Sequence, residues 1–316
     1  MSTSARVSLF VKKNGSFVIF LLLSVFASIF VNRFFSFSNF ALILKQAAIP
    51  IVACIGMTMV MMTGGIDLSV GYMIGLSSIT VGLLIKAQGM NIFLSILITL
   101  MLGLAVGMFN GFCVQRVKVP AFITTLGTGF ILFGIAQIVS NGASINRLPA
   151  EFLAIGKTKI GLLNTTVLIS AGLCALFYFV LHRSTFGRSL SAFGLSEATS
   201  RLSGVPTGRI NITVYAISGL LASVAGILLS IDVNCCQPTM GGGEYTFQVI
   251  TGAVLGGVSL YGGVGSVLGA VFGVVSLKII NNCINLLNVP YYWGGAVLGI
   301  IILLAIIFEN LKNKKL

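Results

Sequence analysis

Ten stretches of apolar residues recur along the chain, at 17–31, 47–63, 72–85, 92–114, 120–140, 165–181, 212–230, 247–260, 267–280 and 292–308. Charged residues collect in the intervals between them. A lipid-facing β-barrel would alternate apolar and polar positions over about ten residues at a time. These runs do not alternate, so each predicts a helix. About 20 apolar residues cross the hydrocarbon core of a bilayer. Three runs (72–85, 247–260 and 267–280) fall short of that, which leaves broken or tilted helices open and a count of eight to ten crossings.

Composition supports this pattern. Only 8% of the 316 residues are charged and 57% are hydrophobic, with a mean hydropathy of +1.07. A globular domain is about 25% charged. This chain has too few charges to cover a water-facing surface, so a soluble enzyme and a disordered chain are both excluded. The expected fold is an all-α integral membrane protein, a polytopic bundle of about ten transmembrane helices forming one domain over residues 1–316.

Charge sets the orientation. The net charge of +13 comes from 19 Lys+Arg against 6 Asp+Glu. No basic tract carries interleaved aromatics, so the bilayer is the expected partner and nucleic acid is not. With the N-terminus inside and strict alternation, Arg6, Lys12, Lys13, Arg116, Lys118, Arg183, Arg188, Arg201, Arg209, Lys312, Lys314 and Lys315 face the cytoplasm. Arg33, Lys45, Lys86, Arg147, Lys157, Lys159 and Lys278 then lie outside. Basic residues favour the inner side, so both termini are expected to be cytoplasmic. The first run ends in Asn32-Arg33-Phe34-Phe35 rather than in a small-x-small cleavage site, and reads as a retained span.

Catalytic and metal chemistry are not apparent. Cys54, Cys113, Cys174, Cys235, Cys236 and Cys283 form no CxxC pair and read as free thiols. "GKT" at 156–158 lacks the first glycine of a P-loop, because Glu151 stands there. No cofactor, metal site or ATPase site is expected.

Glycine is abundant, at 38 residues. Gly103, Gly107 and Gly111 repeat at helical spacing, as do Gly265, Gly269 and Gly273, and Gly295 with Gly299. Small residues let helix backbones approach where lipid gives no hydrophobic drive, so a glycine-packed bundle is expected. "GGIDLSVG" (64–71) resembles "GGVSLYGG" (256–263), a hint of an internal repeat.

Three stretches carry candidate function. In the longest cytoplasmic loop, 182–210, Ser196 suits an N-cap, Gly204 a C-terminal stop, and Glu197 can pair with Arg201 four residues on. The short helix between them lies on the membrane, caps the bundle or docks a soluble partner. In "TGGIDLSVG" (63–71), Thr63, Gly64 and Gly65 precede Asp67 between two apolar runs. A carboxylate at membrane depth lines a cavity or pairs, so Asp67 either caps or hinges a hairpin or lines a translocation path. The outer loop 230–245 holds Asp232, Gln237 and Glu244 and reads as a gate, a partner contact or a plain turn.

The chain resembles, nearly end to end, the permease subunits of ribose-type bacterial ABC sugar importers. The resemblance rests on "GGIDLSVG" (64–71), "PAFITTLGT" (120–128), "FGRSLSAFGLSEATSRLSGV" (186–205), "GLLASVAGI" (219–227), "QPTMGGG" (237–243), "GGVSLYGGVGSVLGAVFG" (256–273) and "NNCINLLNV" (281–289), in order. It implies two permease subunits in a bacterial inner membrane, two cytoplasmic ATPase subunits that bind the ATP, and an extracytoplasmic sugar-binding protein. It implies that the segment holding Gly187, Arg188, Gly194, Glu197, Ala198, Arg201 and Gly204 docks the ATPase. Ser196, Ser200 and the order Glu244-Tyr245 depart from the family's usual pattern. A sugar's hydroxyls need uncharged polar partners, and Thr63, Asn110, Gln137, Asn281 and Asn282 are path candidates by residue type. An ion-coupled carrier using Asp67 and a scaffold subunit without transport are the competing readings.

Overall fold

The computed structural model describes residues 15–161, 163–290 and 293–313. Arg6, Lys12, Lys13, Lys314 and Lys315, which orient the termini in the charge argument, lie outside the described residues.

Among the described residues each of the ten apolar runs contributes a helix. In chain order the helices are α1 Gly15–Phe30, α2 Phe37–Met62, α3 Val70–Gly82, α4 Ile92–Phe112, α5 Ala121–Ser140, α6 Ala150–Lys157, α7 Thr165–Arg183, α8 Thr185–Leu195, α9 Glu197–Leu202, α10 Thr207–Val233, α11 Gly242–Leu255, α12 Val267–Leu286 and α13 Trp293–Asn313. Single π-turns lengthen α3 through Leu83–Ala87 and α4 through Cys113–Val117. Two short antiparallel pairs, β1 Ile145–Asn146 with β4 Cys235–Cys236 and β2 Lys159–Ile160 with β3 Leu163–Asn164, close the loops at one end. Among the described residues, seven helices (α2 to α5, α7, α10 and α12, with the π-turns included) are long and apolar enough to cross a membrane, and α1 and the Trp293–Leu304 part of α13 are shorter apolar helices.

α2 and α12 both run past their apolar stretches. α2 starts ten residues before position 47 because its polar residues find distant partners. Lys45 Nζ sits 2.7 Å from Asp232 Oδ1. Asn39, buried, exchanges amide hydrogen bonds with Asn282 at 3.0 and 2.8 Å. The same exchange carries α12 past position 280. The run 247–260 becomes the 14-residue α11 followed by a loop.

The core is α2, α3 and α10. In each, 67% of the most apolar window is buried within the chain, against 22% for α4 and α7, whose free faces are left for lipid or another subunit. α4 lies along α10 through glycine. A Cβ added at Gly107 would sit 2.8 Å from Ala216 Cα, and one at Gly111 would sit 2.8 Å from Ile212 Cα. Gly256 meets Gly269 across α11 and α12, where a Cβ would be 2.5 Å from the Gly269 carbonyl oxygen. Gly295 and Gly299 have the same spacing but face nothing within 4 Å.

Candidate functional site: a buried carboxylate linker and an exposed peg

The linker between α2 and α3 runs back into the bundle. Gly64 takes φ +78°, a left-handed turn that favours glycine. The linker then places Asp67 in the interior with only 1% of its surface exposed. Ser69 donates to Asp67 Oδ1 twice, from its backbone N–H at 3.0 Å and its hydroxyl at 2.6 Å. Ser218 Oγ of α10 donates to Oδ2 at 2.9 Å. Asn110 of α4 donates to the Ser69 hydroxyl at 2.9 Å. Thr125 of α5 holds the linker backbone, accepting from Leu68 N–H at 3.0 Å and lying 3.2 Å from the Ile66 carbonyl. The linker, α4, α5 and α10 therefore converge around one carboxylate.

The second glycine-rich linker, between α11 and α12, meets the first. Gly263 N–H donates to the Met62 carbonyl at 2.9 Å. A Cβ on Gly262 would sit 3.0 Å from Gly64 N. The stretches 64–71 and 256–263, alike in sequence, thus touch in space. Gly194, at the end of α8, seals this junction. A Cβ there would run into the Met62 carbonyl and the Gly263 amide.

The peg follows directly. Ser196 caps α9, its hydroxyl accepting from Thr199 N–H at 3.3 Å. At the other end Val205 N–H bonds the Ser200 carbonyl and Gly204 N–H bonds the Arg201 carbonyl, with Gly204 at φ +80°. That is a Schellman closure, and only glycine adopts its left-handed position without strain. Arg201 pairs with Glu197 at 3.0 Å, and Lys118 lies 3.8 Å from the same carboxylate oxygen. Ser200 faces inward, Ala198 is exposed, and Leu202 is 90% exposed. Gly187 abuts the Leu181 carbonyl, and Arg188 is exposed.

Sequence reasoning missed Gln115. Its amide nitrogen donates to Glu197 Oε1 at 3.2 Å, and its oxygen accepts from Asn211 Nδ2 of α10 at 2.8 Å. It joins the peg to the helix that holds Asp67. Its place in a π-turn is a feature of the backbone, and the sequence carries no sign of it.

The path candidates chosen by residue type do not gather. Thr63 bonds the Val60 carbonyl at 2.6 Å. Asn110 serves the Asp67 cluster. Gln137 stands half-buried on α5. Asn282 is consumed by Asn39. Asn281 lines a separate cavity at the other end of the bundle.

Residues 39–306 match the family described as branched-chain amino acid transport system / permease component. The chain belongs to this family. Among curated relatives, it is 35% identical over 304 residues to the ribose import permease protein of Escherichia coli (strain K12), with 94% of each chain covered. It is 35% identical over 309 residues to the L-arabinose transport system permease protein of the same strain, covering 95% of this chain and 91% of that one. It is 34% identical over 289 residues to the autoinducer 2 import system permease protein of Photorhabdus luminescens, covering 90% and 85%. No solved structure matches.

Proposed function

We propose that the chain is the membrane permease subunit of an ATP-driven monosaccharide importer. Its relatives import ribose and L-arabinose, or autoinducer 2, a sugar-like molecule, and the site contains groups for movement rather than for bond-making. The full assembly would hold two permease subunits, alike or related, two cytoplasmic ATPase subunits that bind the ATP, and an extracytoplasmic binding protein that delivers the sugar. The chain would cross the bacterial inner membrane ten times with both termini in the cytoplasm, and would contribute no ATPase or other catalytic site of its own.

The observation that carries this reading is the contact of Gly194 with Met62 and Gly263, immediately before an exposed peg. A push on α9 would reach both glycine linkers within one residue's contact. It would also reach α10 through Gln115. Interfaces as tightly packed as α4 on α10 switch between discrete arrangements rather than deforming smoothly. ATP-driven closure of the ATPases would thus open the path alternately outward and inward. Asp67 favours this reading over an ion-coupled carrier, because both its oxygens already accept protein hydrogen bonds.

The test is reconstitution in liposomes. The permease with its ATPases and binding protein should accumulate sugar only when ATP is supplied on the peg side. The permease alone, given a proton or sodium gradient, should accumulate none. Gradient-driven accumulation by the lone chain would overturn the proposal.

A further inference from the structure

At the end of the bundle opposite the peg, α2, α11, α12 and α13 leave a cavity of about 440 Å³. Small-ligand pockets span about 300–1,000 Å³. Six polar side chains line it: Gln46, Glu244, Gln248, Lys278, Asn281 and Asn285. Gly294 and Gly295 form part of the wall, and a Cβ on either would meet nothing within 4 Å, so the space there is open.

The hydrogen-bonding capacity of this lining is partly unused. Lys278 Nζ donates to Gln248 Oε1 at 3.1 Å, and Gln248 Nε2 donates to Glu244 Oε1 at 3.4 Å. That relay orients three side chains and leaves further donors on Lys278 and an acceptor oxygen on Glu244. The side-chain amides of Gln46, Asn281 and Asn285 bond no other described residue. Asn282, the next residue after Asn281, shows the contrast, since its amide nitrogen and oxygen each bond Asn39. An ammonium on a membrane helix is costly, and such groups line water or a substrate route.

The chemistry selects a ligand. Each hydroxyl both donates and accepts, and so does each side-chain amide. One cation and one anion leave the cavity with no net charge, so neither an anion nor a cation is favoured. Resting on the importer reading above, we propose that this cavity is an outward-facing subsite for a neutral polyhydroxylated ligand, a monosaccharide in its ring form. Asn281, Asn285 and Gln46 would bond the hydroxyls, and the Lys278–Gln248–Glu244 relay would hold the ring in place. A shallow, polar subsite of this kind can accept sugar from a binding protein and still release it.

The experiment uses the assembled importer with its six native cysteines replaced. Asn281→Cys and Asn282→Cys are labelled from outside with a membrane-impermeant thiol reagent, with D-ribose, L-arabinose or inorganic phosphate present. Asn281→Cys should label at least about tenfold faster than the buried Asn282→Cys, since reactivity follows exposure. Saturating millimolar sugar, but not phosphate, should slow it at least about twofold. In parallel, Asn281→Leu and Lys278→Met in the native-cysteine protein should raise the KM of uptake by about tenfold, because a site built for hydroxyls is then left unpaired. The subsite is overturned if the wild-type importer accumulates a sugar that neither protects Asn281→Cys nor shows an altered KM in Asn281→Leu. Protection by phosphate alone would overturn it in favour of an anion or lipid-headgroup site. Sugar protection in an importer that accumulates neither sugar would support the subsite while the transport reading fails.

Discussion

Ser218 donates a hydrogen bond to Asp67 at 2.9 Å, and this bond ties the linker between α2 and α3 to the long α10. α2 also packs closely on this region of α10, for a Cβ on Gly56 would sit 2.8 Å from Ser218 Cα. Asp67 thus works as a pin. It holds a broken stretch of backbone inside the bundle, where an unpaired polar group would otherwise be costly.

A pin and a coupling carboxylate respond differently to Asp67→Asn. The amide keeps one acceptor oxygen, and its NH₂ can donate to Ser218 Oγ in reverse. We expect Asp67→Asn to fold and to import at a large fraction of the wild-type rate. Asp67→Ala would leave buried hydroxyls unsatisfied, at about 1–3 kcal/mol per group. It should lower the thermal unfolding temperature in detergent, with Ser218→Ala falling between the two. Loss of all uptake in a well-folded Asp67→Asn would show that the negative charge itself is needed.

The peg can be disabled without harming the fold. Glu197 and Arg201 are 39% and 64% exposed on their side chains. An exposed pair of this kind contributes about 0–1 kcal/mol. Glu197→Gln with Arg201→Gln should therefore leave detergent stability almost unchanged. Leu202→Asp should do the same, given the exposure of Leu202. Each should weaken co-purification of the ATPase and reduce ATP-driven uptake. Retained ATPase binding in all of these variants would remove α9 from the interface.

How much of this was readable beforehand depends on where each residue's partner lies. The peg was readable because its determinants are local: Ser196 caps, Glu197 and Arg201 are four apart, and Gly204 stops the helix. The ends of α2 and α12 were not. Lys45, Asn39 and Asn282 look like interruptions until Asp232 and the reciprocal asparagine pair supply partners far along the chain. The glycine pattern was readable only in part. Gly107 and Gly295 occupy the same kind of spacing, but one meets α10 and the other meets nothing. The outer cavity was hidden because its lining comes from four helices.

That difference between glycines makes a direct comparison. Gly107→Leu would push α4 off α10, and overpacking a tight contact costs about 1–3 kcal/mol or more. Gly295→Leu meets open space and should cost the isolated subunit little. Expression and thermal unfolding in detergent should separate the two clearly. Equal losses would mean that the α4–α10 contact is not a close-packed interface.

Gln115 should affect transmission rather than docking. Gln115→Leu removes the link from Glu197 to Asn211 and leaves the Asn211 amide, only 5% exposed, without its acceptor. The exposed surface of α9 stays intact. We expect the ATPase to bind and hydrolyse ATP, with fewer sugars moved per ATP. An unchanged ratio would show that α10 receives the push by another route, such as Gly194.

The sidedness of the peg can be read with single introduced thiols, provided the native ones stay silent. Cys54, Cys235 and Cys236 are buried. Burial pushes the Cys236 thiol up to about 11. The thiolate is the reactive form, and its share falls about tenfold for each pH unit below the pKa, so at pH 8 only about one Cys236 in a thousand is ionised. Labelling of Cys236 should therefore rise only as the pH climbs towards that value. Leu202→Cys, at the exposed peg, should react with an impermeant reagent in inverted membrane vesicles and not in intact cells. Lys159→Cys, on the exposed β2, should do the reverse. If Leu202→Cys reacts first in intact cells, the peg lies on the wrong side of the membrane to meet an ATPase, and the proposed coupling route fails with it.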